Sequence, residues 1–146
     1  MGEIVYKPAA SSPGSRWGLL DEVAADTNAI LLAYGDCGSC TTYTVHDAIE
    51  FERRGVPTVS YSTDEFVALG QYDAFHRGCP GLPLTQIEYP MASIDADRVP
   101  TRVTDAVVSE TVRALTGPAS QLETEYAGRY SPDEFETRPS YDRCTF

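Results

Sequence analysis

Cys37 and Cys40 stand three residues apart in GDCGSCTT (Gly35–Thr42), a stretch otherwise made of small and polar residues. Sulfurs at that spacing suit a metal clip, a small structural disulfide, or a reactive pair in which one thiol attacks and the other resolves. A structural zinc site wants a second close pair of ligands. Here Cys79 and Cys144 are isolated from each other and from the first pair. Zinc held by Cys37, Cys40 and a distant third ligand is therefore a minor alternative, and no other cofactor is expected.

The loop's setting favours chemistry. It follows the apolar run AILLAY (Ala29–Tyr34), which reads as a strand covered on both faces. It precedes TYTVHDAIEFERRG (Thr42–Gly55), whose Val45, Ala48 and Ile49 fall on one helical stripe. In open parallel sheets ligands bind beyond the carboxyl ends of the strands, which is where this loop lies. Gly35 and Gly38 are read as residues that let the backbone turn sharply or take positive φ. Cys40, Thr41 and Thr42 fall at the helix start, where unpaired N–H groups and the helix dipole favour an anion such as a thiolate. Cys37 is given the looser loop position.

Around the sulfurs, Asp36, Gly38, Ser39 and Thr41 are candidate substrate-binding positions. His46 is a candidate proton shuttle, with a plain solvated histidine as the competing reading. Asp47 shares a helix face with Cys40 if the helix has begun by then, and it either binds a polar group or ties the loop's own N–H groups. Thr63 is read as the N-cap of the next helix and as a neighbour of the cysteine loop able to bond a substrate carboxylate.

The elements that must position these residues alternate. Strands are expected at Glu3–Lys7, Ala29–Tyr34, Pro57–Ser62 and Thr85–Tyr89, and helices at Ser15–Asp26, Thr42–Gly55, Thr63–Gly78 and Thr101–Pro118. That order predicts an α/β fold: a three-layer Rossmann-like or flavodoxin-like domain with a mainly parallel sheet of about four strands. Residues 1–117 form this domain. Residues 118–146 read as an acidic, aromatic-containing tail, extended by its charge and proline but able to dock through Tyr126, Tyr130, Phe135 and Tyr141.

The 146 residues suit one globular core, and the formal charge of −11 argues against nucleic acid or an anionic membrane as partner. No run is long and apolar enough to cross a bilayer, and the N-terminus shows no charged-then-apolar signal pattern, so a cytoplasmic location is expected.

The string GDCGSCTTYTVHDAIEFERRGVPTV resembles the signature of the UGSC family, named for selenocysteine-Gly-Ser-Cys. The resemblance runs from about Lys7 to Gly117 and includes SSP (Ser11–Pro13) and STDEF (Ser62–Phe66). It implies that Cys37 takes the selenocysteine's place as attacking thiolate and Cys40 that of the resolving thiol, in a thiol-dependent oxidoreductase acting on a small-molecule electrophile. Two departures are noted. The chain is short of the strand and helix that precede the Lys-Pro segment in the family, which implies a homo- or hetero-oligomer in which a second chain completes the fold or the site. Tyr89-Pro90 stands where the family tends to have His-Pro, which shifts any proton transfer to His46 or a partner. Cofactor-independent lyase or isomerase chemistry and a subunit role are the alternatives.

Overall fold

Among the described residues three parallel strands lie in the order β1-β2-β3, comprising Ile30–Gly35, Thr58–Thr63 and Leu84–Ile87. The computed structural model describes residues 13–130, and the expected strand at Glu3–Lys7 lies outside them. Helix α1 (Pro13–Asp26) precedes β1, α2 (Gly38–Arg53) links β1 to β2, and α3 (Val67–His76) links β2 to β3. After β3 come a 3-10 turn at Ala96–Arg98, α4 (Val99–Arg102), α5 (Asp105–Thr116) and α6 (Ala119–Tyr126). The chain is thus α/β with a parallel sheet, as the alternation of elements predicts.

The apolar stripe of α2 supplies the centre. Val45, Ala48 and Ile49 are buried with Val67 and Ala74 of α3 and with Leu82 and Leu84, and Leu32 packs against them. Leu20 of α1 meets Phe51 and Val56, with Ile30 and Leu32 alongside. Val59 of β2 instead joins Ala114 and Tyr126, with Tyr61, Leu115 and Leu122 packed against them. Since successive strand residues point to opposite faces, α1 and α2 share the face of Ile30 and Leu32, and α5 meets β2 from the other.

Four expectations are corrected. β1 is not covered on both faces by the described residues: Leu31 is 55% exposed, because α5 sits over β2 and β3 and leaves β1 bare. The expected helix Thr101–Pro118 is broken. Thr104 caps α5, its hydroxyl accepting the Val107 N–H at 3.3 Å, and Val103 is exposed in the break. The expected helix from Thr63 begins at Val67 with Phe66 at its cap, because Thr63 is the last residue of β2. The tail is not extended over residues 119–126. Those form α6, whose Tyr126 is fully buried and donates its hydroxyl hydrogen to Glu110 Oε1 at 3.0 Å. Tyr130 OH donates to the Leu84 carbonyl at 2.8 Å, so these two aromatics dock on their own chain. Residues 131–146, with Phe135, Tyr141 and Cys144, lie outside the described part.

Candidate functional site

Helix α2 starts four residues before its expected first turn, and a cysteine side chain is the reason. Cys37 is the N-cap, in extended backbone conformation, and its Sγ accepts the Cys40 N–H at 3.1 Å. A serine or aspartate oxygen normally fills that role at the third helical residue. The helix therefore opens at Gly38, and the Thr41 N–H reaches the Cys37 carbonyl at 3.0 Å. Cys40 thus lies in the first turn, at the helix start as expected, and Cys37 stands just before the helix as its cap. The two sulfurs are joined as a disulfide, with the Cα atoms 5.1 Å apart. Cys37 is half-buried and Cys40 exposed, and Ser39 Oγ lies 3.5 Å from Cys37 Sγ.

Of the two roles expected of the glycines, a sharp turn or a positive φ, the second is not found. Neither Gly35 nor Gly38 takes a positive φ among the described residues. Gly35 is required by crowding: a Cβ there would lie 2.3 Å from Ser62 Oγ and 2.5 Å from Thr41 Oγ1. Gly38 faces open space, where a Cβ would meet nothing within 4 Å.

Thr63 does reach the loop. Its hydroxyl donates to the Gly35 carbonyl at 3.2 Å from a fully buried position. Thr41 is buried as well, and its hydroxyl donates to the Cys37 carbonyl at 2.8 Å. Both hydroxyls thus hold the loop's backbone. Asp36 turns towards the segment after β3, where its Oδ2 accepts the Met91 N–H at 3.2 Å and the Ala92 N–H at 2.8 Å. Its other oxygen, Oδ1, is buried with no hydrogen-bond partner among the described residues. Asp64 does the same from the end of β2: Oδ1 accepts the Tyr89 N–H at 3.0 Å and the Glu65 N–H at 3.1 Å. Two carboxylates at neighbouring strand ends thereby hang Tyr89–Ala92 beside the cysteine loop.

Asp64 and the Tyr89–Ala92 backbone were not singled out by the sequence reading, and no local spacing signals a contact across 25 residues. The same holds for Ser62 against Gly35. His46 is half-buried on α2, six residues past Cys40, or about 9 Å further along the axis and on another face by helix geometry. Asp47 shares the Cys40 face about one residue further on.

Exposed tyrosines rim the loop: Tyr34 at its start, Tyr43 one turn past Cys40, and Tyr89 on the hung segment, the last with its ring centroid 6.3 Å from that of Phe66. A cavity of about 450 Å³ lies elsewhere, at the amino ends of the strands, lined by Pro57, Cys79, Leu82, Pro83, Leu115 and Leu122 among others. Among the described residues no group of three or more His, Cys, Asp or Glu is placed to hold a metal ion, and no helix is long and apolar enough to cross a membrane.

A parallel α/β sheet with a C-x-x-C pair capping the helix after β1 defines the class of protein. The family is then specific: the model of the UGSC family matches residues 3–117, and the chain belongs to that family. No curated protein and no solved structure matches it.

Proposed function

We propose that this chain is a thiol-dependent enzyme, acting alone or as a subunit, whose Cys37–Cys40 pair reduces a small-molecule electrophile. The observation that carries the reading is the N-cap bond from the Cys40 N–H to Cys37 Sγ. When the disulfide is opened, that donor and the aligned peptides of a 16-residue helix favour negative charge on Cys37. A thiolate is the attacking form of a cysteine, and its partner is within bonding reach.

The cycle balances as follows. The Cys37 thiolate attacks an electrophilic sulfur or other heteroatom of the substrate, or a carbon beside a carbonyl that can later hold the departing electron pair as an enolate, and displaces a leaving group, which departs with a proton. The Cys40 thiolate then attacks Cys37 Sγ. The bond from Cys37 to the substrate breaks, the substrate fragment takes the electron pair and a proton, and the disulfide forms. Two electrons have passed from the dithiol to the substrate, and an external dithiol reductant restores the pair. Exposed Gly38 and Ser39 border the substrate, Asp36, Thr41 and Thr63 hold the loop through backbone groups, Asp47 lies on the Cys40 face of α2, and His46 relays protons through solvent. The setting is the cytoplasm, where such reductants are maintained. The finer architecture is three-layered and Rossmann-like, with about four strands.

A second reading, a subunit whose site is closed by another chain, is favoured by exposed Tyr34, Tyr43 and Tyr89 around the loop, since exposed aromatics are enriched at interfaces. The test is mass spectrometry of the reduced chain after incubation with alkyl halides, disulfides and peroxides. Adducts on Cys37 that resolve to the Cys37–Cys40 disulfide support the enzyme. Adducts that form at equal rates on every cysteine of the unfolded and folded chain sink it.

A further inference from the structure

We propose that Arg102 forms a binding site for the carboxylate of a small organic acid, in a pocket at the carboxyl ends of β2 and β3. The proposal concerns this pocket alone and does not rest on the thiol chemistry.

The pocket holds about 200 Å³. One wall is the end of the sheet, with Asp64 directly after β2 and Gln86 and Glu88 at the end of β3. The other wall is the break between α4 and α5, with Arg102, Thr104 and Val107.

Arg102 sets the chemistry. It is 8% exposed, and it is the one charged side chain among the buried described residues. Arginine is seldom buried unless its N–H groups are matched. Here the match is incomplete. Nε is buried with no hydrogen-bond partner among the described residues, and the one ion pair runs from Nη1 to Glu88 Oε1. The Glu88 side chain is 65% exposed. A carboxylate that far into water holds its partner weakly, and it can turn out into solvent at little cost. Glu88 therefore acts as a built-in competitor: it shows that a carboxylate fits against Arg102, and it does so through one nitrogen only. A ligand carboxylate laid along the guanidinium meets two N–H groups at once.

α5 adds to the attraction from the same wall. The Thr104 hydroxyl accepts the Val107 N–H and keeps its own hydrogen to donate. The first N–H groups of this 12-residue helix and the positive end of its dipole lie there too.

Charge and size narrow the ligand. Two carboxylates, Asp64 and Glu88, line the pocket against one guanidinium. A carboxylate that takes the place of Glu88 leaves this balance unchanged. A phosphate would bring a further negative charge towards Asp64. The volume is below the roughly 300–1,000 Å³ of sites for drug-sized molecules, so it suits a headgroup of a few atoms. The chain runs from Glu88 in this pocket through Tyr89 to Ala92, where it meets Asp36 of the cysteine loop. The pocket and the loop thus share one rim of the sheet, the rim at which parallel sheets bind ligands.

NMR on the full chain, with the Cys37–Cys40 disulfide intact, tests the site while the pair cannot react. Propionate is expected to shift the Arg102 Nε–H and Thr104 N–H signals saturably in the millimolar range, and inorganic phosphate to bind at least about 5-fold more weakly. Arg102→Gln should abolish the titration. Glu88→Gln keeps the guanidinium and removes its competitor, so it should tighten propionate by at least about 3-fold. Four results would each overturn the proposal: no saturable shift, a titration that survives Arg102→Gln, an unchanged Kd in Glu88→Gln, or phosphate bound as well as propionate.

Discussion

Cys37 and Cys79 are both half-buried sulfurs beside a helix end, at opposite ends of the sheet, and their surroundings drive them apart. Cys37 caps the amino end of α2 and receives an N–H. Cys79 follows the carboxyl end of α3, past Arg77 and Gly78, where the last carbonyls of the helix point. Burial beside the apolar cavity pushes its thiol up from the ordinary range, Arg53 opposes, and Glu52 and Glu50 add to the rise. Burial is common to both sulfurs, so on the proposed chemistry the sign of the neighbouring helix end and a donor aimed at the sulfur set them apart.

The largest effect expected from this difference is on reactivity. Cys37→Ser should lower the rate of adduct formation with a small electrophile by more than about 100-fold, because the nucleophile is gone. Cys79→Ser should leave that rate within about 2-fold, since Cys79 lies at the other end of the strands. Peptide-resolved mass spectrometry reads both. Equal losses in the two variants would erase the distinction between the two ends.

The next test sharpens the same contrast without removing either sulfur. In the reduced chain the alkylation rate of each cysteine follows its thiolate fraction. For Cys37 the rate should level off below the free-thiol midpoint of about 8.5, and for Cys79 it should still be rising above that value. Coincident profiles would mean that the N-cap geometry carries no electrostatic weight.

Much of this was legible in the chain because it is local. The order of strands and helices follows from apolar runs and stripes, and the cysteine loop announces itself by composition. Boundaries failed where a side chain did an unusual job. Nothing in sequence periodicity reveals that a cysteine replaces the usual oxygen at an N-cap, so the apolar stripe alone starts α2 at Thr42 instead of Gly38. Thr63 looked like a cap because a threonine before two acids usually is one. In fact β2 continues through it, and its hydroxyl serves the Gly35 carbonyl. The carboxylates of Asp36 and Asp64 meet backbone N–H groups 25 and more residues away, and only the sheet's topology brings them together. The need for glycine is hidden for the same reason: Gly35 is dictated by Ser62, a residue on another strand.

That glycine supplies a stability test at the Cys37 end. Gly35→Ala should destabilise the fold by about 1–3 kcal/mol, because two hydroxyls and, at 3.1 Å, the Thr41 Cα stand in the way of the new methyl. Gly38→Ala should be neutral or slightly stabilising, by up to about 1 kcal/mol, since the site is open and alanine suits a helix better. Urea midpoints separate the two. A tolerant Gly35 would mean that the loop can back away from β2, and the placement of Cys37 would lose its support.

The smallest expected effect lies at the far end of α2, where the charge logic of the Cys37 cap is inverted. Arg53 and Arg54 close the helix, and both reach Glu50, each at 2.9 Å, while Arg54 also binds Asp21 of α1 at 2.8 Å. Burial works against the Glu50 carboxylate, but the two guanidiniums outweigh it and hold its titration below the usual carboxylate range. A carboxyl lowered in the folded state contributes stability above its unfolded value of about 4.3, and that contribution disappears as pH falls through the folded value. Glu50→Gln should therefore cost about 0.5 kcal/mol at pH 7, the size of a solvent-screened helix pair, and less as pH falls below about 4.3. Urea titrations of both chains at neutral and acid pH measure it. A gap that stays the same size in acid would show that Glu50 acts by packing and not by charge, leaving α2 with an electrostatic role only at the end where Cys37 sits.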